Sequence, residues 1–142
     1  MKPAVDRREF RDWVSVPVRW SDMDAYHHVN NAKYVTYLEI GRIQVFRSLA
    51  PDGDWLHAAE GPVLASVTCN FRRPVQHPAT IEVGTRVGKI SRRSFHFEHG
   101  LFLDGTDTLV ADARSIVVWI NRATGEPVEI SPALREALER LM

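Results

Sequence analysis

The pattern of apolar and polar positions predicts one long helix near the N-terminal end of the chain. Over residues 31–49, large apolar side chains recur at helical spacing, while polar residues occupy the rest of the cylinder. The apolar positions are Tyr34, Leu38, Val45 and Leu49. A helix with such a stripe has to bury it against another element.

Local signals mark the ends of this helix and one unusual position inside it. Asn30 suits the N-cap, and Pro51 with Gly53 indicates where the helix stops. Gly41 lies inside the helix, where glycine costs about 1 kcal/mol relative to alanine. We therefore expect a neighbouring strand to pass close to Gly41.

The remaining segments follow mostly the two-residue alternation of β-strands. Pro17 predicts that the first strand lies at an edge of the sheet or contains an early bulge. Asp104-Gly105 indicates a hairpin between the last two strands. Strands are predicted at residues 14–20, 63–72, 79–90, 94–103 and 109–121. A polar loop is predicted at 21–30, an irregular segment at 52–61 with a helical turn around 55–59, and a short C-terminal helix opening at Ser131-Pro132.

This order predicts an α+β fold in which the long helix packs on an antiparallel β-sheet. One strand precedes the helix, and four strands joined by short connections follow it. With 142 residues the chain is expected to form a single domain over 1–142. That length can bury a sizeable core without disulfides or metals.

The composition narrows the classes of function. Lys plus Arg and Asp plus Glu number 18 each, so the net charge is zero, which argues against nucleic acid or an anionic membrane as a partner. Near-zero charge also favours self-association. The single cysteine, Cys69, excludes an internal disulfide and a multi-cysteine metal site. No segment resembles a leader or a membrane span, so a cytoplasmic location is expected.

Two carboxylates lie just before the long helix. Asp22 and Asp24 are one residue apart, and the helix begins seven residues after Asp24. Unpaired N–H groups and the positive end of the helix dipole collect at a helix start. A carboxylate facing a carbonyl that these N–H groups hold is a plausible acyl-transfer site. Both aspartates could instead form local turns, and Asp22 is expected to have such a structural role.

A family resemblance rests on this same stretch. Residues 20–31 read Trp-Ser-Asp-Met-Asp-Ala-Tyr-His-His-Val-Asn-Asn, and Tyr34, Tyr37-Leu-Glu39 and Arg42 follow. The motif resembles the signature of the 4-hydroxybenzoyl-CoA thioesterase branch of hotdog-fold proteins. The resemblance implies a hotdog fold and an acyl-CoA thioesterase that needs no cofactor. It also implies a homodimer or homotetramer whose active site lies between subunits.

Within this resemblance, Asp24 is the expected nucleophile or general base. The carboxylate would attack the thioester carbon to give an anhydride or would activate water, and the sequence leaves both routes open. The backbone N–H of Asn31, supported by Asn30, would hold the carbonyl oxygen. Thiolate is a good leaving group, so a carboxylate suffices.

The substrate-binding expectations are spread over three elements. The resemblance implies that Ser91, Arg92, Arg93 and Ser94, in a turn between two strands, contact the phosphates or the pantetheine arm of CoA. The alternative is that these arginines are solvated turn residues. His28 could line the pocket. Glu39 could point into the site or pair with Arg42.

Two positions depart from the family pattern, and a metal is not expected. His27 stands where glycine is common, so the turn forms without glycine's freedom. Ile40 stands where a second acidic residue often follows Glu39.

Adjacent histidines such as His27 and His28 rarely bind the same ion, and no suitably spaced third histidine accompanies them.

Two alternatives to an acyl-CoA thioesterase stay open on this fold. One is a non-catalytic protein that binds acyl-CoA, because a fold alone does not establish a reaction. The other is a thioesterase that acts on acyl-carrier-protein esters. A hotdog dehydratase is less well supported, because the Asp/His pair typical of those enzymes is not found in this sequence.

Overall fold

The computed structural model describes residues 5–50 and 54–142, and within these ranges it contains five strands and two α-helices. In chain order they are β1 (Asp12–Pro17), α1 (Asn31–Leu49), β2 (Glu60–Phe71), β3 (Thr80–Ile90), β4 (Ser94–Leu103), β5 (Leu109–Asn121) and α2 (Pro132–Glu139). Short 3₁₀ turns lie at Arg7–Glu9 and Trp20–Asp22. The predicted order of one strand, a long helix, four strands and a final helix is confirmed.

The five strands form one sheet in the order β1-β3-β4-β5-β2, and every neighbouring pair is antiparallel. Helix α1 packs on this sheet, which confirms the α+β hotdog architecture. β1 and β2 are the two edge strands, so the position of Pro17 in β1 agrees with the rule that proline is confined to edges. No helix in the described ranges is long and apolar enough to cross a bilayer.

Element boundaries agree with the sequence prediction for α1, β4 and β5 and differ elsewhere. β1 stops at Pro17 instead of residue 20, because the chain turns into the 3₁₀ segment Trp20–Asp22. Residues 55–57 form a hydrogen-bonded turn and 58–59 a bend, which agrees with the irregular segment and the short turn predicted there. The proposed stop signal at Pro51 and Gly53 lies outside the described residues.

Gly41 lets α1 approach the sheet closely, as predicted. A β-carbon at this position would lie 2.9 Å from Val83 Cγ1 and 3.3 Å from Thr85 Oγ1. The first distance is shorter than carbon atoms tolerate, and valine is stiff at χ1. The spacing between α1 and β3 therefore depends on the missing side chain.

A polar layer divides the core beneath α1 into two apolar clusters. One cluster surrounds Leu38 and Leu101, and the other surrounds Val45 and Phe97. The layer between them consists of four buried polar residues from α1, β3, β4 and β5. They are Arg42, Thr85, His99 and Ser115.

The residues of this layer form hydrogen bonds with one another. The His99 ring hydrogen-bonds with Thr85 Oγ1 at 3.1 Å and with Ser115 Oγ at 2.9 Å. Arg42 Nη1 donates to Ser115 Oγ at 3.2 Å. Burial, with a further contribution from the Arg42 charge, lowers the pKa of His99 to about 3. Arg42 points into the core and Glu39 is exposed, so no ion pair within 4 Å joins these two residues, which was one of the two possibilities for Glu39.

Candidate active site

Asp22 fixes the loop that leads into α1. Its side chain is 5% exposed, and its Oδ2 accepts hydrogen bonds from the Tyr37 hydroxyl at 2.7 Å and from the Arg19 N–H at 2.9 Å. Its backbone carbonyl accepts from the Asn30 N–H at 2.9 Å. Burial alone would raise the pKa of Asp22, but the hydrogen bonds from Arg19 and Tyr37 outweigh it and lower the pKa. These contacts agree with the structural role expected for Asp22.

Asp24 lies in a closed turn between Asp22 and the helix. Its N–H donates to the His28 carbonyl at 3.1 Å, and its carbonyl accepts from the His27 N–H at 3.0 Å. Its Oδ1 accepts from the Tyr26 N–H at 2.9 Å, which is the geometry of an Asx turn. His27 has φ of 62°, the left-handed conformation that glycine adopts most easily. The Asp24 side chain is half-buried, and Oδ2 has no hydrogen bond to any described residue.

The first turn of α1 leaves one backbone donor available. The side-chain oxygen of Asn30 accepts from the Ala32 N–H at 3.0 Å, so Asn30 is the N-cap as predicted. The Asn30 carbonyl accepts from the Lys33 N–H at 2.8 Å. The Asn31 N–H has no acceptor among the residues that the structure describes. An N–H at this position carries the positive end of the helix dipole and suits an anionic oxygen.

A small recess of about 220 Å³ opens beside this helix start. Its walls come from the end of the loop, the first turn of α1 and the end of β2. They include His28, Asn31, Tyr34, Phe71, Arg72 and Arg73. His28 thus lines a pocket next to Asn31, whereas Asp24 is not one of its lining residues.

Aromatic rings form the apolar side of this recess. The Tyr34 and Phe71 rings meet edge to face with centroids 5.3 Å apart. Burial raises the pKa of the Tyr34 hydroxyl to about 12, so that hydroxyl stays neutral. Phe71 is 47% exposed, which a core aromatic would not be. Its ring is therefore available to a ligand or to another chain.

Two arginines form the polar side of the recess. Arg72 Nε lies 2.6 Å from Asp112 Oδ2, so this guanidinium already has a carboxylate partner. The Arg73 side chain forms no hydrogen bond or ion pair with any described residue. Arg72 and Arg73 thus lie beside Asn31 in the same chain, whereas the predicted phosphate contacts Arg92 and Arg93 do not line this recess.

The Ser91–Ser94 turn lies at the other end of the sheet from Asp24. The Asp24 loop adjoins the start of β3, where the Val18 N–H donates to the Ala79 carbonyl at 2.8 Å. The turn follows the far end of β3, about 35 Å away along the 11-residue strand. There Arg92 forms an ion pair with Glu129, and the Ile130 N–H donates to the Arg92 carbonyl at 2.9 Å. One chain alone therefore does not bring this turn to Asp24.

Glu39, the remaining predicted candidate, and two core aromatic residues also lie apart from the turn. Glu39 is exposed and lies eight residues after Asn31, about 12 Å along the helix axis. Phe95 and Phe97 are fully buried in the core. Among residues 5–50 and 54–142, no group of three His, Cys, Asp or Glu side chains could hold a metal ion.

Comparison with known proteins decides the family. The model of the thioesterase-like superfamily matches residues 18–138, which is most of the chain. The chain belongs to the thioesterase-like superfamily. The match includes the Asp24 turn, α1, all strands except β1, and α2 up to Leu138.

Three relatives illustrate this membership. The long-chain acyl-CoA thioesterase FadM of Escherichia coli K12 is 27% identical over 128 residues, covering 89% of this chain and 96% of that protein. The chloroplastic acyl-acyl carrier protein thioesterase ATL3 of Arabidopsis thaliana is 27% identical over 136 residues, covering 95% of this chain and 70% of that protein. A Thermus thermophilus thioesterase, solved with coenzyme A and Zn, is 30% identical with a TM-score of 0.81, covering 94% of this chain and 95% of that one. At the level of this family, the protein is a thioester hydrolase.

Proposed function

We propose that this protein hydrolyses acyl-CoA thioesters to a free acid and CoA, with Asp24 as nucleophile or general base. The observation that carries the proposal is the unpaired Asn31 N–H at the start of α1, beside the turn that holds Asp24. Two relatives support a CoA ester as the substrate. FadM bears the name of a long-chain acyl-CoA thioesterase, and the Thermus thermophilus thioesterase was solved with coenzyme A.

The chemistry follows from these two groups. In one route, Asp24 Oδ2 attacks the thioester carbon, CoA thiolate departs, and water hydrolyses the resulting anhydride. In the other route, Asp24 accepts a proton from a water molecule that attacks the same carbon. Both routes place negative charge on the carbonyl oxygen, where the Asn31 N–H would donate a hydrogen bond. Removal of one such donor typically costs on the order of 3 kcal/mol of transition-state stabilisation.

The proposal includes a dimer formed through β2. This strand pairs with β5 on one side only, and its other edge is open within the described residues. Val63 and Leu64 in its first half are 44% and 41% exposed. An open, apolar edge strand is a template for pairing with another chain. Near-zero net charge removes the repulsion that would oppose it.

Self-pairing of β2 would join groups that one chain keeps apart. An antiparallel pair related by a two-fold axis through the middle of Glu60–Phe71 sets Phe71 of one copy beside the start of β2 in the other. The Ser91–Ser94 turn lies at the end of the sheet where β2 starts, so the second copy's turn would approach the Asp24 end of the first. This arrangement supports contact between Arg92 or Arg93 and the CoA phosphates.

A thioesterase for acyl-carrier-protein esters is the second candidate, favoured by the similarity to ATL3. Both substrates share a phosphopantetheine arm, which the recess could bind in either case. A comparison of CoA-linked and carrier-linked esters of one acyl group, with detection of the free thiol, separates them. Faster turnover of the CoA ester supports the proposal, and turnover of the carrier ester alone refutes it.

The absence of thiol release from every ester in that panel would instead favour a non-catalytic acyl-CoA-binding protein.

Light scattering tests the proposed oligomeric state. We expect a dimer or tetramer, and a monomer would leave the recess beside Asn31 without its opposing wall. A cytoplasmic location belongs to the same proposal.

A further inference from the structure

The Tyr34 hydroxyl is a polar group at a buried position that has no partner in the described part of the chain. Tyr34 is 2% exposed, and its hydroxyl forms no hydrogen bond with any residue in 5–50 or 54–142. The neighbouring Tyr37 is different, because its hydroxyl donates to Asp22 Oδ2 at 2.7 Å. A donor left unpaired at a buried position costs free energy, so folded proteins keep few of them.

This hydroxyl opens onto the recess beside Asn31. Within the described ranges, every fully enclosed side-chain nitrogen or oxygen atom has a hydrogen-bond partner. The Tyr34 oxygen has none, so it is not fully enclosed and belongs to the small exposed fraction of the residue. Tyr34 is one of the residues that line the recess. The open space that the hydroxyl meets is therefore the recess.

The Tyr34 side chain extends towards the start of α1. Tyr34 lies three residues after Asn31, on the same face of the helix and about 4.5 Å further along its axis. Aromatic side chains in a helix lean back towards its N-terminal end. Tyr34 accordingly shares the recess with Asn31 and His28. Its hydroxyl is thus directed to the region where the Asn31 N–H is free.

Packing holds the Tyr34 ring in one place. The Tyr37 ring meets it edge to face with centroids 5.9 Å apart, and the Phe71 ring does so at 5.3 Å. A donor that packing has already oriented needs no reorganisation when charge develops on a substrate. Arg73 also lines the recess without a partner among the described residues, but it is exposed and would lose rotamer freedom on binding.

The helix start provides a single free backbone donor among the four residues 30–33. The Asn30 N–H donates to the Asp22 carbonyl at 2.9 Å. The Ala32 N–H donates to the Asn30 side chain at 3.0 Å, and the Lys33 N–H donates to the Asn30 carbonyl at 2.8 Å. Only the Asn31 N–H is left without an acceptor in the described ranges. A carbonyl oxygen has two lone pairs, so it can accept a second hydrogen bond.

We infer that the Tyr34 hydroxyl donates this second hydrogen bond to the thioester carbonyl oxygen, beside the Asn31 N–H. The inference rests on the proposed function and adds to it a catalytic side chain outside the Asp24 turn. The hydroxyl keeps its proton throughout. Its hydrogen bond strengthens when attack on the carbon places negative charge on the oxygen, and that charge departs with the CoA thiolate when the carbonyl forms again.

Tyr34→Phe tests the inference, because it removes the hydroxyl and keeps the ring. We expect kcat for the CoA ester that the wild type hydrolyses fastest to fall at least about tenfold, with little change in KM. Burial raises the pKa of the hydroxyl to about 12, so the fall in kcat should be the same at pH 7 and pH 9. A smaller fall in kcat, or an effect confined to KM, overturns the inference.

Tyr37→Phe is the matched variant for stability, since it removes a hydroxyl that has a partner. Urea denaturation should show a lower midpoint for Tyr37→Phe, whereas Tyr34→Phe should keep or exceed the wild-type midpoint. This combination of unchanged stability and lower kcat is not expected of a hydroxyl that only holds the fold together. A midpoint for Tyr34→Phe as low as that for Tyr37→Phe overturns the inference.

Two CoA analogues give a readout that needs no hydrolysis. A ketone analogue, with CH₂ in place of the sulfur, keeps the carbonyl oxygen, and an alkyl thioether of CoA lacks it. In calorimetric titrations, Tyr34→Phe should bind the ketone about fivefold more weakly than the wild type and the thioether equally well. Equal changes for the two analogues overturn the inference.

These measurements separate the Tyr34 inference from the proposed function. If the wild type hydrolyses no thioester but its binding of the ketone depends on Tyr34 as expected, the proposed function fails and the Tyr34 contact stands. If the wild type is a hydrolase and Tyr34→Phe keeps its kcat and its affinity for both analogues, the Tyr34 inference is overturned while the hydrolase proposal is untouched. If the wild type neither hydrolyses thioesters nor binds the ketone, both fail.

Discussion

The Tyr37 hydroxyl donates a 2.7 Å hydrogen bond to Asp22 Oδ2 inside the core, from the second turn of α1 to the loop that precedes it. Asp22 lies two residues before Asp24, so this bond couples the helix to the turn that carries the proposed catalytic carboxylate. Among the described residues, only one other donor, the Arg19 N–H, reaches the same oxygen. The Asp22–Tyr37 pair therefore holds the loop that precedes α1 against the helix.

Tyr37→Phe should lower both stability and activity. Loss of the donor leaves a buried carboxylate oxygen with one partner, which costs about 1–3 kcal/mol in the free energy of unfolding. Urea denaturation measures this cost. Tyr26→Phe is the matched control, because the Tyr26 ring is 83% exposed. Equal stability of the two variants would show that the Asp22 bond does not hold the loop.

The sequence was sufficient to predict the elements with strong periodicity. The bounds of α1, β4 and β5 agree with the structure because each carries a long, regular apolar pattern. The close packing at Gly41 could also be predicted, because a glycine inside a helix without a capping role indicates a close neighbour. The contacts of the segment around Trp55, such as the bond from Arg122, could not be predicted because they join residues that are distant in sequence.

The site was only partly predictable, because several of its residues come together from segments that are distant in sequence. The N-cap role of Asn30 could be inferred from local sequence alone, while the catalytic roles of Asp24 and Asn31 stay predictions. Tyr34 and Arg73 were not recognised as recess residues, because the recess forms only when β2 packs beside α1. The polar layer around His99 was missed because each member is a single polar residue on a different element. The roles of Ser91, Arg92, Arg93 and Ser94 stay predictions.

His99 should make stability depend on pH. Its pKa is about 3 in the folded protein against an ordinary value of 6.5, so the unfolded chain binds one more proton between these values. The contribution of His99 to the free energy of unfolding is fully present above pH 6.5. It is lost as the pH falls towards 3, by about 1.4 kcal/mol per pH unit. His99→Gln keeps a polar side chain but cannot titrate there.

The measurement is urea unfolding between pH 7 and pH 4 for the wild type and His99→Gln. The variant should be less stable at pH 7 but should lose stability less steeply on acidification. The exposed His57 provides the control, as His57→Gln removes a histidine outside the core. Parallel curves for the wild type and His99→Gln would contradict the assignment of a buried, neutral His99.

Gly41→Ala should destabilise the protein although alanine favours a helix. The helix gains about 1 kcal/mol from the exchange, but the added carbon meets Val83 Cγ1, and overpacking of this kind costs about 1–3 kcal/mol. A double-mutant cycle with Val83→Ala isolates the clash. We expect the alanine at 41 to be less harmful when Val83 is shortened, and additive effects would exclude the contact as the cause.

Arg92→Ala combined with Arg93→Ala should raise KM for CoA esters more than for pantetheine thioesters of the same acyl group. Hydrogen bonds from charged groups contribute about 1.5–3 kcal/mol, so a rise of about tenfold is expected for the CoA ester. Arg72→Ala with Arg73→Ala serves as the comparison at the recess of the same chain. Equal effects of the Arg92 and Arg93 exchange on both esters would remove the phosphate contact.

The most direct test of the central claim is thiol release by Asp24→Asn on the CoA ester that the wild type hydrolyses fastest. Asn keeps the shape of the side chain and its oxygen can still accept from the Tyr26 N–H, so the turn should persist. Asp107→Asn is the control, since that side chain is 96% exposed. We predict that Asp24→Asn folds normally and lowers kcat at least about a hundredfold, while the control keeps its activity. Turnover by folded Asp24→Asn close to that of the wild type would contradict the account.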